Sequence, residues 1–216
     1  MTTLQADCST LYRLAHRLPR YTFPFDHTQI DKNGIYLLFE KGEIGYEGQR
    51  IVRVGTHTGN NQLRSRLQQH FIQENKDRSI FRKNIGKCLL NRSNDPYLDV
   101  WNIDFTTRAS KTTNGHLLNA AHQAQIEQEV SDYIQSRFSF VVLPVEEKEE
   151  RLYLESRIVS TLSHCSKCKP SDNWLGMDSP NEKIRRSGLW QVNELYKEPL
   201  NTADLKRMEG LANGAD

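Results

Sequence analysis

Two short apolar runs lie close together early in this 216-residue chain, and they constrain its fold more than any other feature. Residues 34–40 (GIYLLFE) are rich in apolar and aromatic side chains, and residues 50–57 (RIVRVGTH) show an alternating pattern. Both runs are typical of β-strands. Three glycines fall within residues 41–49, which predicts a hairpin connection. The two strands are therefore expected to pair antiparallel.

Helical spacing of apolar residues accounts for most of the remaining chain. It predicts helices over residues 3–18, 61–72, 79–90, 115–137 and 146–163, and a short helix from residue 201. Residues 138–145 predict a third strand. Residues 91–114 are polar, so we expect an insertion or a mobile loop there. This order predicts an α/β fold of the α+β type, with helices flanking a small central, mainly antiparallel three-stranded sheet.

The composition excludes several classes of protein. No apolar run approaches the roughly 18 residues that a membrane-spanning helix needs, and 12 Gly and 7 Pro are too few for a collagen-like chain. The chain has four cysteines, and its first ten residues show no basic-then-apolar signal segment. These features predict a cytoplasmic protein with reduced thiols.

Positive charge is concentrated in one stretch, although the formal net charge is only +2. Residues 50–92 contain ten Lys or Arg residues and two acidic residues, which gives a local charge of +8. Such an excess favours a polyanionic partner such as a nucleic acid. The alternative is a solvated basic face without a partner.

Two ionisable side chains lie on the apolar face of the helix predicted over residues 61–72. Arg66 and His70 fall on the same stripe as its leucines and phenylalanine. A desolvated arginine needs an anion, which could be a ligand or a structural carboxylate. His70 could be a catalytic group or a hydrogen-bonded histidine of the interior.

Glu155 lies on the apolar stripe of the helix predicted over residues 146–163. A carboxylate in that position needs a metal ion, an arginine or a raised pKa. The structural alternative is an ion pair with Arg66 or Arg157.

The period of two in the first two strands groups further polar residues. If Ile35, Leu37, Phe39, Val52 and Val54 face the core, the opposite face carries Tyr36, Arg53 and His57. With the two helices, these side chains supply a proton acceptor, cations and one metal ligand, which suits phosphodiester hydrolysis. A small-molecule enzyme on a similar sheet is a weaker alternative, because no phosphate-binding or dinucleotide motif supports it.

The same residues resemble the signature of the GIY-YIG nuclease family. Gly34-Ile35-Tyr36 matches the first signature, and Arg53-Val54-Gly55 stands where the second, Tyr-Ile-Gly, would fall. Leu63, Arg66 and His70 resemble the family's Leu-x-x-Arg-x-x-x-His/Tyr helix. Glu155 resembles its metal-binding glutamate, and Asn173 its downstream asparagine.

The resemblance implies a role for each of these side chains. One divalent cation, Mg²⁺ or Mn²⁺, would be held by Glu155 and water and would bind the scissile phosphate. Tyr36 would act as, or position, the general base, and Arg66 would stabilise the developing charge. His70 would support the phosphate or proton transfer, and Asn173 would orient local structure.

One departure from the family pattern affects the expected mechanism. Arg53 replaces the usual second tyrosine, and arginine cannot act as a base at neutral pH, although it can clamp a phosphate. Water activation then rests on Tyr36 alone, or His57 assists. The replacement leaves open a catalytically impaired nucleic-acid-binding module of the same fold.

The resemblance covers about residues 33–176 and implies a metal-dependent DNA endonuclease. It predicts an N-terminal helical extension over 1–32, a nuclease domain over 33–176 with an insertion at about 91–114, and a C-terminal extension over 177–216 packed on it. Further phosphate contacts are predicted at Arg64, Arg82 and Lys83. The oligomeric state stays open, a homodimer included, and residues 91–114 could form a dimer arm or a DNA arm.

A single Cys-x-x-Cys motif lies after the helix that carries Glu155. His164, Cys165 and Cys168 could begin a zinc site, but no second ligand pair follows at a finger-like spacing. A reduced structural pair is the favoured interpretation.

Overall fold

The computed structural model describes residues 3–214, with side chains from residue 7 onward. Four strands form the central sheet: Arg20–Thr22 (β1), Gly34–Gly45 (β2), Gly48–Gly55 (β3) and Phe138–Pro144 (β4). They are antiparallel throughout, in the spatial order β1-β4-β2-β3. The α-helices around the sheet are Thr3–Arg17 (α1), Leu63–Phe71 (α2), Ile80–Arg92 (α3), Leu98–Asn102 (α4), Arg108–Asn114 (α5), Ala120–Arg137 (α6), Lys148–His164 (α7), Glu182–Ser187 (α8) and Thr202–Ala212 (α9).

The predicted α+β arrangement of helices around an antiparallel sheet is confirmed, but the sheet has four strands and not three. The additional strand, β1, is only three residues long and pairs with β4, with Tyr21 opposite Phe140. Pro19 and Pro24 flank it closely in the sequence. So short a strand offers no run of alternating residues, and this is why its pattern was not detectable.

Both faces of the sheet are buried, and each has its own hydrophobic core. Leu37 on β2 contributes to one core together with α1, α7 and α9, through residues such as Leu11, Ile158 and Met208. The neighbouring Leu38 contributes to the other core, which α2, α3 and α6 cover. A sheet buried on both sides explains why β2 and β4 are almost continuously apolar.

A β-bulge in β3 changes which residues face which core. Leu38 pairs with Arg53 and Phe39 pairs with Ile51, so Val52 is the extra residue. Val54 faces the core that contains Leu37, as predicted, whereas Val52 joins the opposite core. The bulge keeps Arg53 on the same side as Leu38, which is the side of Tyr36.

Residues 91–114, predicted to be irregular, contain the short helices α4 and α5. Trp101 of α4 is fully buried, and its indole N–H donates to the Lys83 carbonyl at 3.0 Å. A Cβ atom at Gly86 would lie 2.4 Å from the Trp101 ring, so the glycine lets the ring approach α3. Tertiary packing of one aromatic residue therefore orders a segment whose composition suggested a loop.

Helices from both predicted extensions pack on the first core, through Leu11 of α1 and Met208 of α9. The division at residues 33 and 176 stays a prediction. Between residues 3 and 214, none of the helices combines the length and apolar character that crossing a membrane requires.

Candidate active site

Three predicted site residues from three separate elements line one cleft. Arg53 of β3, Arg66 of α2 and Glu155 of α7 border a cavity of about 460 Å³, which we call the Glu155 cleft. Asn193 and Glu194, from the segment after α8, close another side of it. The sheet and two helices thus bring together side chains that are up to 102 residues apart in the sequence.

Glu155 is a half-buried carboxylate without an ion-pair partner. Among residues 7–214, no basic side chain lies within 4.0 Å of it, and Arg157 pairs with Glu198 at 3.0 Å instead. Burial raises the pKa of Glu155 to about 7, against the opposing effects of Arg53 and the Thr56 backbone N–H. The charged form of this carboxylate is therefore costly, and a cation would stabilise it.

Arg53 is buried with part of its hydrogen-bonding capacity unused. Its side chain is only 6% exposed and lies over the Phe81 ring, 5.2 Å from the centroid. One terminal nitrogen donates to the Trp190 carbonyl, and the Nε has no hydrogen-bond partner within the described structure. Because this guanidinium also lines the cleft, its charge is suited to binding an anion there.

Arg66 lies on the wall that separates two cavities. It is half-buried and donates to Gln69 Oε1 at 3.0 Å and to the Arg78 carbonyl at 3.1 Å. Both acceptors are neutral, so its charge is not cancelled by them. In the described part of the chain, no carboxylate lies within 4.0 Å of it.

Tyr36 and His70 form a hydrogen-bonded pair behind the cleft. The Tyr36 hydroxyl lies 2.8 Å from His70 Nε2, and His70 Nδ1 lies 2.7 Å from the Ser79 hydroxyl. His70 is fully buried, and this burial, with Arg53 as the next largest cause, lowers its pKa well below the ordinary value. The imidazole is therefore neutral, and its Nε2 can accept a hydrogen bond from the tyrosine hydroxyl.

Gly55, the glycine of the second signature, is required by the position of Tyr36. The two residues are partners across β2 and β3, and a Cβ at Gly55 would lie 2.2 Å from the Tyr36 hydroxyl oxygen. Thr56, the next residue, supplies the backbone N–H that interacts with Glu155. The end of β3 therefore contacts the tyrosine and the glutamate through adjacent residues.

His57 is placed in a neighbouring cavity of about 410 Å³ that shares Arg66 with the Glu155 cleft. Both of its ring nitrogens are engaged: Nε2 accepts from the Gly34 N–H at 3.3 Å, and Nδ1 donates to the Gly59 carbonyl at 2.6 Å. Burial lowers the pKa of His57. Its neutral ring joins the start of β2 to the turn after β3.

The comparison with known families agrees with this geometry. The model of the GIY-YIG domain matches residues 4–215. This chain belongs to the GIY-YIG domain family. Proteins of this family are, in general, nucleases. No curated protein and no solved structure matches the chain.

The GIY-YIG domain does not bring Asn173 to the Glu155 cleft. Asn173 is exposed, and it lines neither this cleft nor the His57 cavity. The amides that line the Glu155 cleft are those of Asn84, Gln191 and Asn193. The alternating polar residues after Trp190 (QVNE) were the available signal, but only the fold shows that they face the cleft.

Glu194 is a second carboxylate at the cleft, and unlike Glu155 it already has hydrogen-bond and ion-pair partners. It accepts from the Ser156 hydroxyl at 2.5 Å and from Lys197 at 2.7 Å. These bonds lower the pKa of Glu194. Its backbone has a φ of 63°, a strained value for a residue other than glycine.

Arg82, predicted as a phosphate contact, is unavailable for that role. Its side chain is fully buried and pairs with Glu127 at 2.9 Å. Lys83 pairs with Asp77 at 3.4 Å, and its side chain is only 13% exposed. Arg64 donates to the Ile30 carbonyl at 2.7 Å and to the Thr28 carbonyl at 2.9 Å.

The basic stretch from residue 50 to residue 92 is therefore only partly a surface feature. Arg50 and Lys76 are also buried, paired with Glu43 and Asp77 at 2.7 Å and 2.8 Å. A count of charges along the chain overestimates the positive surface, because acidic residues from elsewhere neutralise several of these cations.

Proposed function

We propose that this chain is a divalent-metal-dependent DNA endonuclease whose active site is the Glu155 cleft. The single observation that carries the proposal is the half-buried Glu155 carboxylate, free of any ion pair in the described structure, on one cleft with two guanidinium groups. The carboxylate, which has no cationic partner, is suited to binding a metal ion. The two guanidinium groups, which have no carboxylate partner, are suited to binding a phosphate.

The donor set of the cleft fits Mg²⁺ or Mn²⁺. Both ions prefer oxygen ligands and bind through one or two carboxylates while they keep several waters. Glu155 would be the ligand, because Glu194 is already engaged by Ser156 and Lys197. A bound cation would neutralise charge on the scissile phosphate and lower the pKa of a bound water.

Arg53 and Arg66 would hold the phosphate from the remaining sides. Arg53 carries its charge to the lining of the cleft, and Arg66 has only neutral acceptors in the described structure. Two fixed guanidiniums stabilise the additional negative charge of the transition state without reorganising at the moment of reaction. In this arrangement Arg53 replaces the family's second tyrosine as a phosphate clamp.

Tyr36 would position the attacking water through its hydroxyl oxygen. The 2.8 Å hydrogen bond to His70 Nε2 would fix the orientation of that hydroxyl. Tyr36 is only 1% exposed and does not line the cleft, so an attacking water would have to pass the packed side chains between the cleft and its hydroxyl. His57 would orient the backbone at Gly34, because both of its nitrogens are occupied.

The DNA backbone would follow a groove that adjoins the cleft. Lys183 and Arg186 line this groove, and it shares Val192, Asn193 and Glu194 with the Glu155 cleft. These cations replace Arg82 and Lys83 as the proposed phosphate contacts. We also infer a reducing compartment, the cytoplasm, because the four cysteines are free thiols.

The test is cleavage of supercoiled plasmid and linear duplex DNA by the wild type and by Glu155→Gln, with and without Mg²⁺. We expect the wild type to cut only with the metal, and the variant to lose at least about 100-fold in rate. Glu194→Gln is the matched control, and it should lose far less. Equal cutting by the wild type and Glu155→Gln would refute the proposal.

A second candidate is a DNA-binding module of the same fold that has lost its chemistry. The replacement of the family's second tyrosine by Arg53 and the deep burial of Tyr36 favour it. This candidate predicts salt-sensitive DNA retention with no cutting of any substrate in Mg²⁺ or Mn²⁺. The same assay therefore separates the two functions.

A further inference from the structure

Three cysteines from distant parts of the chain meet at one point, far from the chemistry discussed so far. Cys8 lies on α1, Cys165 follows the last residue of α7, and Cys168 is three residues later. Their sulfur atoms all lie within 4.8 Å of one another. All three side chains are less than 5% exposed.

The spacing of the sulfur atoms fits a tetrahedral metal site. With zinc–sulfur bonds of about 2.3 Å, the sulfur atoms of a tetrahedral site lie about 3.8 Å apart. The Cys8 and Cys168 sulfurs are 3.8 Å apart, and those of Cys165 and Cys168 are 3.3 Å apart. Small side-chain rotations would bring the second distance to the same value.

Hydrogen-bond donors surround these sulfurs, as is typical of thiolates that bind metal. The backbone N–H groups of Lys167 and Cys168 donate to Cys165. The Tyr12 hydroxyl donates to Cys168, and burial raises the pKa of Tyr12 so that it keeps its proton. The Tyr46 hydroxyl is buried without a hydrogen-bond partner in the described structure, and burial raises its pKa to about 12.

His164, the other predicted ligand of this motif, does not belong to the group. It is exposed, its Nε2 lies 3.3 Å from the Lys197 carbonyl oxygen, and its ring packs edge-on against Tyr196. Among the side chains from residue 7 to residue 214, the metal-binding group consists of the three cysteines. A tetrahedral ion would take its fourth ligand from solvent.

We propose that Cys8, Cys165 and Cys168 bind one Zn²⁺ ion that joins the N-terminal helix to the end of α7. Binding would release the thiol protons to solvent and leave three thiolates on one dication. The N–H and O–H donors named above would stabilise the single negative charge that results. Two segments 157 residues apart would then be held together by the metal.

The zinc site is independent of the proposed nuclease function. Glu155 lies on α7 and Cys165 directly follows that helix, ten residues later, which corresponds to about 15 Å along the helix axis. The soft thiolates select zinc, whereas the carboxylate of Glu155 suits Mg²⁺ or Mn²⁺. A chain without nuclease activity would therefore still bind zinc.

A disulfide is the competing use of the same thiols. A Cys165–Cys168 bond would employ two sulfurs and leave Cys8 as a buried thiol beside them. The convergence of three sulfurs, with donors directed at two of them, favours the metal. The two alternatives differ in mass and in metal content.

The test is the metal content of the full chain, purified under reducing conditions without chelator. We expect about one zinc ion per chain in the wild type, and loss of most of it in Cys8→Ser, Cys165→Ser and Cys168→Ser. Cys88→Ser is the matched control, because Cys88 is also buried but lies in the core on the opposite face of the sheet. Glu155→Gln should retain the zinc.

A second measurement uses the wild type alone, in case a cysteine variant does not fold. Replacement of zinc by Co²⁺ should give thiolate-to-cobalt charge-transfer bands and the visible bands of tetrahedral cobalt. Wild-type chain that contains no zinc, gives no such bands and, when denatured, presents all four cysteines as titratable thiols would overturn the proposal. A mass lower by two hydrogens, with no metal, would also overturn it in favour of the disulfide.

Discussion

Glu127 on α6 and Glu155 on α7 both lie in an interior that also contains arginines, yet only Glu127 is neutralised. Glu127 pairs with Arg82 at 2.9 Å and also accepts from the Lys76 backbone N–H at 2.5 Å. Glu155 has no ion pair in the described structure, and burial raises its pKa to about 7. The same residue types therefore form a closed ion pair in one region and leave a carboxylate without an ion pair in the other.

The difference lies in how completely each charge is compensated. Arg82 directs its donors to the Glu127 carboxylate and to the Ser131 hydroxyl, so the buried pair is closed. Arg53 and Arg66 lie near Glu155 without contacting it at ion-pair distance. The charges of Arg53, Arg66 and Glu155 are not compensated by one another. Binding of a phosphate and a cation would therefore stabilise them.

The largest expected effect is on stability, and it concerns the ion pair between Arg82 and Glu127. Arg82→Leu would leave Glu127 buried without its partner, so we expect the free energy of unfolding to fall by about 3–5 kcal/mol. Urea denaturation followed by circular dichroism measures this change. Arg66→Leu is the control and should cost far less, because Arg66 neutralises no carboxylate. Equal losses of unfolding free energy in the two variants would show that Arg82 and Arg66 do not differ in this respect.

The next effect is on catalysis, in the cleft. Arg66→Lys keeps the positive charge but loses the forked donors of a guanidinium, so we expect a fall in cleavage rate of about 100-fold. Single-turnover cleavage of plasmid DNA in Mg²⁺ gives the rate. The thermal midpoint should stay close to that of the wild type. An unchanged rate would show that Arg66 does not contact the phosphate.

A smaller effect, an increase in stability, is expected when Glu155 itself is replaced. Its folded-state pKa of about 7 is above the ordinary 4.5, so the folded wild type loses stability as the pH rises between these values. Glu155→Gln does not titrate and should gain on the order of 2 kcal/mol at pH 8 in magnesium-free buffer, after allowance for partial exposure.

The gain should disappear near pH 4, where the wild-type carboxyl is protonated in both states. Thermal unfolding at several pH values measures it. Glu194→Gln should show no such gain, because hydrogen bonds lower the pKa of Glu194. A variant that is less stable than the wild type at pH 8 would contradict the assignment of Glu155 as an uncompensated charge.

The smallest effect is on DNA affinity outside the cleft. The double variant Lys183→Ala/Arg186→Ala should reduce the slope of log affinity against log salt by up to about 2, since each phosphate contact contributes about 0.9. Fluorescence anisotropy with a duplex at several salt concentrations measures the slope. Arg82 cannot contribute to this slope while it is paired with Glu127. An unchanged slope in the double variant would show that the DNA does not contact Lys183 and Arg186.

Local sequence patterns predicted those parts of the fold and site that depend on residues close in the chain. The hairpin of β2 and β3 and the position of Tyr36 on the face of Arg53 follow from the strand period. The pairing of Tyr36 with His70 could be anticipated only after the family pattern had been recognised.

The misassigned residues depend on partners that are distant in the sequence. Arg66 and Arg82 look alike in a helical pattern, and only the position of Glu127, 45 residues beyond Arg82, makes one of them structural. Asn193 reaches the cleft because the chain after α8 folds back onto β3, where the Trp190 N–H donates to the Val52 carbonyl. Cys8 and Cys168 are 160 residues apart, so the spacing of cysteines in the sequence could not predict that they lie together.

The central claim is that Glu155 is left without a partner in order to bind a divalent cation. Titration of the zinc-loaded chain with Mn²⁺, followed by electron paramagnetic resonance at pH 8, tests it most directly. We predict one Mn²⁺ site in the wild type and in Glu194→Gln, weakening as the pH falls below about 7, and loss of that site in Glu155→Gln. Binding of Mn²⁺ by Glu155→Gln as tightly as by the wild type would contradict the claim.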